Sequence, residues 1–112
     1  MFGPFLLKQR LARAAIAGLA LIIAPICAFA ADAANGEIIA KRWCAACHLV
    51  SPGQARANSD VPSFKAIAHE KSKRQISDFL TDPHPKMPDM NLSRGEIADI
   101  AAYIDSLGRA GE

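Results

Sequence analysis

The sequence is short of most of the features that would assign it to a common functional class. Cysteine occurs three times in 112 residues, too seldom for a disulfide-stapled scaffold. Glycine and proline number seven each beside ample Ile, Leu and Phe, which excludes collagen-like and disordered chains. No Val/Ile/Thr-rich alternating run is present, so strands are not expected. Charge of either sign is also scarce. The first thirty residues hold Lys8, Arg10 and Arg13 and none of the 11 acids, which leaves ten bases against 11 acids in residues 31–112. A net of −1 there excludes a nucleic-acid partner, because the charge that would hold phosphates sits in the leader. Residues 31–112 are also too few for the deep core of a large enzyme.

The leader reads as an export signal. Lys8, Arg10 and Arg13 form a positive n-region, and Ala14 to Ala24 is an unbroken apolar run. Pro25 interrupts it, and Ala28-Phe29-Ala30 supplies the small-x-small pattern of a signal-peptidase site. The expected division is a cleavable secretory signal over 1–30 and one domain over 31–112, with a periplasmic mature protein. The rival is an uncleaved anchor facing the periplasm: Ala14 to Ala31 gives 18 residues without a charge, at the lower edge of a membrane span. Membrane association is expected only in that case. A lipid anchor on Cys27 is disfavoured by Ile26, which is bulkier than the residue a lipobox places there.

Cleavage removes Cys27 and leaves Cys44 and Cys47, followed at once by His48. Cys44-Ala45-Ala46-Cys47-His48 is the C-x-x-C-H pattern of covalent haem attachment. Cysteines at i and i+3 on one helical turn point the same way, so two sulfurs can bond the two vinyl groups of one haem. The next residue can then present an imidazole nitrogen to the iron. Three other readings stand beside this one. A disulfide can form in an oxidising compartment, but its thioredoxin-like catalytic form needs a βαβ setting that this sequence lacks. Zinc needs four ligands, and only His69 or His84 remains to complete a set, at irregular spacing. Export, helical patterning and the motif agree on haem.

The rest reads as helices joined by Pro-rich loops. The first helix is expected from about Asn35 to Cys47, capped by Asp32 or Asn35, with Gly36, Ile39, Ala40 and Trp43 on one face. Ser51 to Pro62 is a loop. Ser63 opens a short helix through Phe64 and Ile67. Ser72 and Gln75 form a capping box for a helix to about Leu80, with Ile76, Phe79 and Leu80 inward. Asp82 to Pro88 has three prolines in seven residues and is an extended loop. Ser93 and Glu96 cap the last helix, Leu92 and Ile97 staple it, and Gly108 is its expected stop. The core is too small to fold stably alone, and a covalently held porphyrin would supply the missing apolar surface.

Over residues 35–107 the chain resembles class I cytochromes c of the short bacterial monohaem type. The resemblance rests on the attachment motif, on Gly36 eight residues before Cys44, and on Ile100 and Tyr103 of the last helix. It also rests on Val61-Pro62-Ser63-Phe64 and on Met87-Pro88 before Leu92-Ser93. It implies an all-α cytochrome c fold, three to four short helices around one haem c. Cys44 and Cys47 are the covalent attachment points, His48 the proximal iron ligand, and the Pro62 carbonyl the acceptor for the His48 imidazole. Two positions depart from the family. Ala40 stands where an aromatic is common, with Trp43 taking up the space, and the short segment between His48 and Met87 leaves one haem edge exposed.

For the sixth ligand Met87 is favoured, since Lys86 and Pro88 flank it in a loop fixed by prolines. Met90, three residues before Ser93, is the alternative and otherwise packs under the helix start. His69 and His84 are further candidates that more simply sit on a solvated surface. A thioether opposite an imidazole fills both axial positions and leaves no site for substrate. The expected protein is therefore a monomeric one-electron carrier between respiratory or dehydrogenase partners, and not an enzyme. Lys65, Lys71, Lys73, Arg74 and Lys86 are candidates to dock acidic redox partners. The alternative is a haem subunit, or a ligand-binding domain of peroxidase-like or gas-sensing type, whose distal methionine is labile.

Overall fold

The computed structural model describes residues 29–58, 60–83 and 85–110. The leader reading on residues 1–28, Cys27 included, and the candidate ligand His84 lie outside the described residues. Those described form four helices and no strand: α1 (Ala33–Trp43), α2 (Phe64–Glu70), α3 (Lys73–Thr81) and α4 (Arg94–Arg109).

Each helix begins where a side-chain oxygen captures an orphan amide. Asp32 accepts from the Ala34 and Asn35 amides at 2.9 and 3.2 Å, so α1 starts two residues earlier than its periodicity indicates. Ser63 caps α2, and Ser72 with Gln75 and Ser93 with Glu96 form complete capping boxes on α3 and α4. At its other end α1 stops before Cys44. The Cys47 and His48 amides both turn back to the Cys44 carbonyl, at 3.1 and 2.9 Å, so the attachment motif occupies a tight turn beyond the helix.

α4 is the spine on which the other three pack. Its crossing with α1 is made by Gly36, where an added Cβ would lie 2.0 Å from the Asp99 carbonyl oxygen and 2.9 Å from the Ile100 nitrogen. The Asp99 carboxylate closes the same crossing, accepting from the Asp32 amide at 2.7 Å and from Asn35 Nδ2 at 2.8 Å. Gly108 does not end α4, which runs on to Arg109 with Ala110 as its cap. Gly108 instead lets α2 approach: a Cβ there would meet Ala68 Cβ at 3.2 Å. Ile39, Ala40, Phe64, Ile76, Ile100 and Ile104 form the centre of the core.

Two expected inward side chains are about half exposed. Trp43 continues the Gly36-Ile39-Ala40 face but is 51% exposed, with the Arg42 guanidinium 6.0 Å from its ring centroid. It leaves Ala40 alone to fill the position where an aromatic was expected. Phe79, three residues after buried Ile76, is 44% exposed. The apolar faces of α1 and α3 thus extend past what the described residues bury.

Candidate functional site

The attachment turn brings both thiols and the imidazole to one end of α1. Cys44 is buried and Cys47 exposed, and both are free. Burial pushes the Cys44 thiol up to about 11, so it is a neutral thiol across the physiological range. A thiol-disulfide catalyst needs the opposite shift. Among the described residues no three His, Cys, Asp or Glu side chains converge to hold a metal ion, which removes support from the zinc reading.

His48 is oriented from both sides. Its Nδ1 lies 2.7 Å from the Pro62 carbonyl oxygen, and a carbonyl only accepts, so the proton is on Nδ1 and the Nε2 lone pair is left available. The ring stands 5.5 Å from that of Phe64, which in turn meets Tyr103 edge-on at 6.4 Å. Tyr103 closes the circuit by donating its hydroxyl to the Val50 carbonyl at 2.7 Å. The imidazole is therefore referred to α4 through two packed rings.

The loop expected from Ser51 to Pro62 is organised by Gln54, which the sequence reading did not single out. Its carboxamide accepts from the Val50 amide, and the two protons of its Nε2 are shared among the carbonyls of Ala45, His48 and Arg56, at 2.7–3.0 Å. Nothing in residue type marks Gln54 beforehand; the Pro52-Gly53 turn before it is the one local signal.

The remaining candidates fall in separate places. Met87 and Met90 are both half-buried. Met90 lines a cavity of about 510 Å³ between α3 and the start of α4, with Leu80, Leu92 and Ile97, and neither the two thiols nor His48 borders it. The loop turns there through Asn91, whose φ of +49° is eased by its amide bonding to the Asp89 carboxylate at 2.9 Å. His69 is exposed and lines a different small cavity with Asp105 and Arg109 near the end of α4. Lys65, Lys71, Lys73, Arg74 and Lys86 are all exposed, and Arg74 faces Asp78 at 3.8 Å.

These observations fit a covalently held haem. Two free thiols three residues apart lie beside an imidazole whose Nε2 is available, and Trp43 and Phe79 are large apolar side chains left about half exposed among the described residues. Comparisons with known proteins agree. Residues 31–104 match the family described as cytochrome C oxidase, cbb3-type, subunit III. The chain is also similar to cytochrome c-552 of Bradyrhizobium diazoefficiens (strain USDA 110), 57% identical over 82 residues that span 71% of this chain and 79% of the relative. No solved structure matches the chain.

Proposed function

The chain belongs to the cytochrome c family, and from that premise we propose that it is an exported carrier that moves single electrons through haem iron held by His48 and Met87. The family membership carries one covalent haem c and the all-α cytochrome fold. When bound, the haem supplies an iron centre that gains and loses one electron.

The chain's own residues supply the rest. Cys44 and Cys47 hold the group by thioether bonds from one turn. His48 ligates through Nε2 while its Nδ1–H donates to Pro62, which fixes the ring and raises its basicity. That hydrogen bond is the observation that carries the proposal, because it leaves a histidine one ligating nitrogen and one orientation. Met87 is the distal ligand. It stands among Pro83, Pro85 and Pro88, which limit the loop's freedom, whereas Met90 is engaged at the cavity beside Leu80 and Ile97. With His48 and Met87 both holding the iron, the protein would leave substrate no entry to it.

Export to the periplasm rests on the leader sequence, and no helix among the described residues is long and apolar enough to cross a membrane. Electron donor and acceptor are redox proteins, for which Lys65, Lys71 and Lys73 offer exposed positive charge. The subunit description of the matching family favours a second reading, a haem subunit resident in a larger oxidase assembly. Copurification with a membrane complex would select it.

The ligands are tested by spectroscopy of the ferric protein. Met87→Ala should abolish the sulfur-to-iron charge-transfer band in the red, lower the potential and admit carbon monoxide to the ferrous iron. Met90→Ala should leave all three nearly unchanged. The reverse pattern assigns the ligand to Met90, and no loss in either variant points to His69 or His84.

A further inference from the structure

The turn that carries the thiols and the imidazole leaves α1 after the Cys44 and Ala45 amides bond to the Ala40 carbonyl, and its own carbonyls lie outside the helical ladder. Six carbonyls between Cys44 and Val50 find partners from separate parts of the fold. Cys44 accepts from the Cys47 and His48 amides, Cys47 from the Asn58 amide at 3.0 Å and Leu49 from the Phe64 amide at 3.0 Å. Val50 accepts from the Tyr103 hydroxyl. Ala45 and His48 depend on a single side chain, Gln54, whose Nε2 lies 3.0 and 2.8 Å from their oxygens. The same nitrogen also reaches the Arg56 carbonyl at 2.7 Å, and Oε1 takes the Val50 amide at 2.9 Å. Three carbonyls at one end and an N–H at the other allow one orientation of the amide, since the flipped form would oppose oxygen to oxygen.

We propose that Gln54 is a positioning residue for the axial imidazole, an inference that rests on His48 being the proximal ligand. The geometry gives His48 two anchors. Its main chain is held at the carbonyl by Gln54, and its ring is held at Nδ1 by Pro62, 14 residues further along. Gln54 also gathers both limbs of the loop that joins these anchors, through Val50 on one side and Arg56 on the other. Removing the amide frees the His48 carbonyl and slackens the loop that delivers Pro62. The Nδ1–H···O contact then lengthens. A less firmly bonded imidazole is a less basic ligand, which favours ferric iron less.

The test uses the haem-loaded protein and the near-isosteric Gln54→Met, which neither donates nor accepts as the amide does. Three changes are expected together. The reduction potential rises, the His48 ring-proton signals of the ferric protein shift and broaden in NMR, and the Val50 amide exchanges about tenfold faster. Ser72→Ala, which removes the cap of α3, serves as a control that lowers the melting temperature without these changes. A Gln54→Met protein that melts earlier but keeps the wild-type potential and His48 signals overturns the proposal and leaves Gln54 a loop brace. His48→Ala, measured alongside, separates the two failures. A low-spin spectrum surviving in that variant rejects the ligation itself, whereas its loss beside wild-type behaviour in Gln54→Met rejects only the role of Gln54.

Discussion

Gly36 and Gly95 show how differently two helical glycines are used. At Gly36 a Cβ would overlap the Asp99 carbonyl, which is backbone and cannot swing away, while at Gly95 the nearest atom is Ser93 Oγ at 3.9 Å. Gly36→Ala should therefore cost about 3 kcal/mol and lower the melting temperature by roughly 15 °C. Gly95→Ala should gain about 0.5 kcal/mol by restricting the unfolded chain. Thermal unfolding of the two variants checks both signs. Tyr103→Phe removes the donor to a buried Val50 carbonyl and should cost about 1 kcal/mol in denaturant unfolding. The proposed attachment residues stand out in sequence because a contiguous motif carries them. Gln54 was not, because it acts on backbone carbonyls whose positions exist only once the turn has formed. Gly36 was visible from its spacing to Cys44, but the carbonyl it admits belongs to a residue 63 positions away.

At the scale of the element, starts were easier to read than ends. A cap is a local bond between a side chain and an amide two or three residues on, so Ser63, Ser72 and Ser93 announce their helices in sequence. Ends are set by tertiary contact. α1 stops where the Cys44 carbonyl takes two amides from the following turn, and α4 runs through Gly108 because α2 packs there. The capping box of α4 also has a pH signature. Hydrogen bonds from Ser93 hold the Glu96 carboxyl below its ordinary value. A depressed folded-state value adds stability that is present above the unfolded carboxylate range and is lost as pH falls through the folded value. Glu96→Gln should flatten the acid limb of a melting-temperature profile and leave its slope near neutrality unchanged. Ser93→Ala should cost about 1 kcal/mol at neutral pH.

The described residues form one long helix with three short ones laid on it, and their apolar faces exceed what those residues cover. Phe79 and Trp43 are the large exposed side chains on those faces, and a core this small would gain from the apolar surface of a covalent haem. Chain lacking both attachment thiols, Cys44→Ala with Cys47→Ala, should thus show less helix by circular dichroism and melt with little cooperativity. The electron-carrier reading makes a further demand on the whole assembly: His48 and Met87 must close the iron from both sides in the intact protein. Exposing the fully reduced wild-type protein to carbon monoxide at neutral pH tests that demand most directly. The ferrous spectrum should stay unchanged. Rapid formation of a carbonyl complex would contradict the electron-carrier reading and identify a ligand-binding haem with a labile distal methionine.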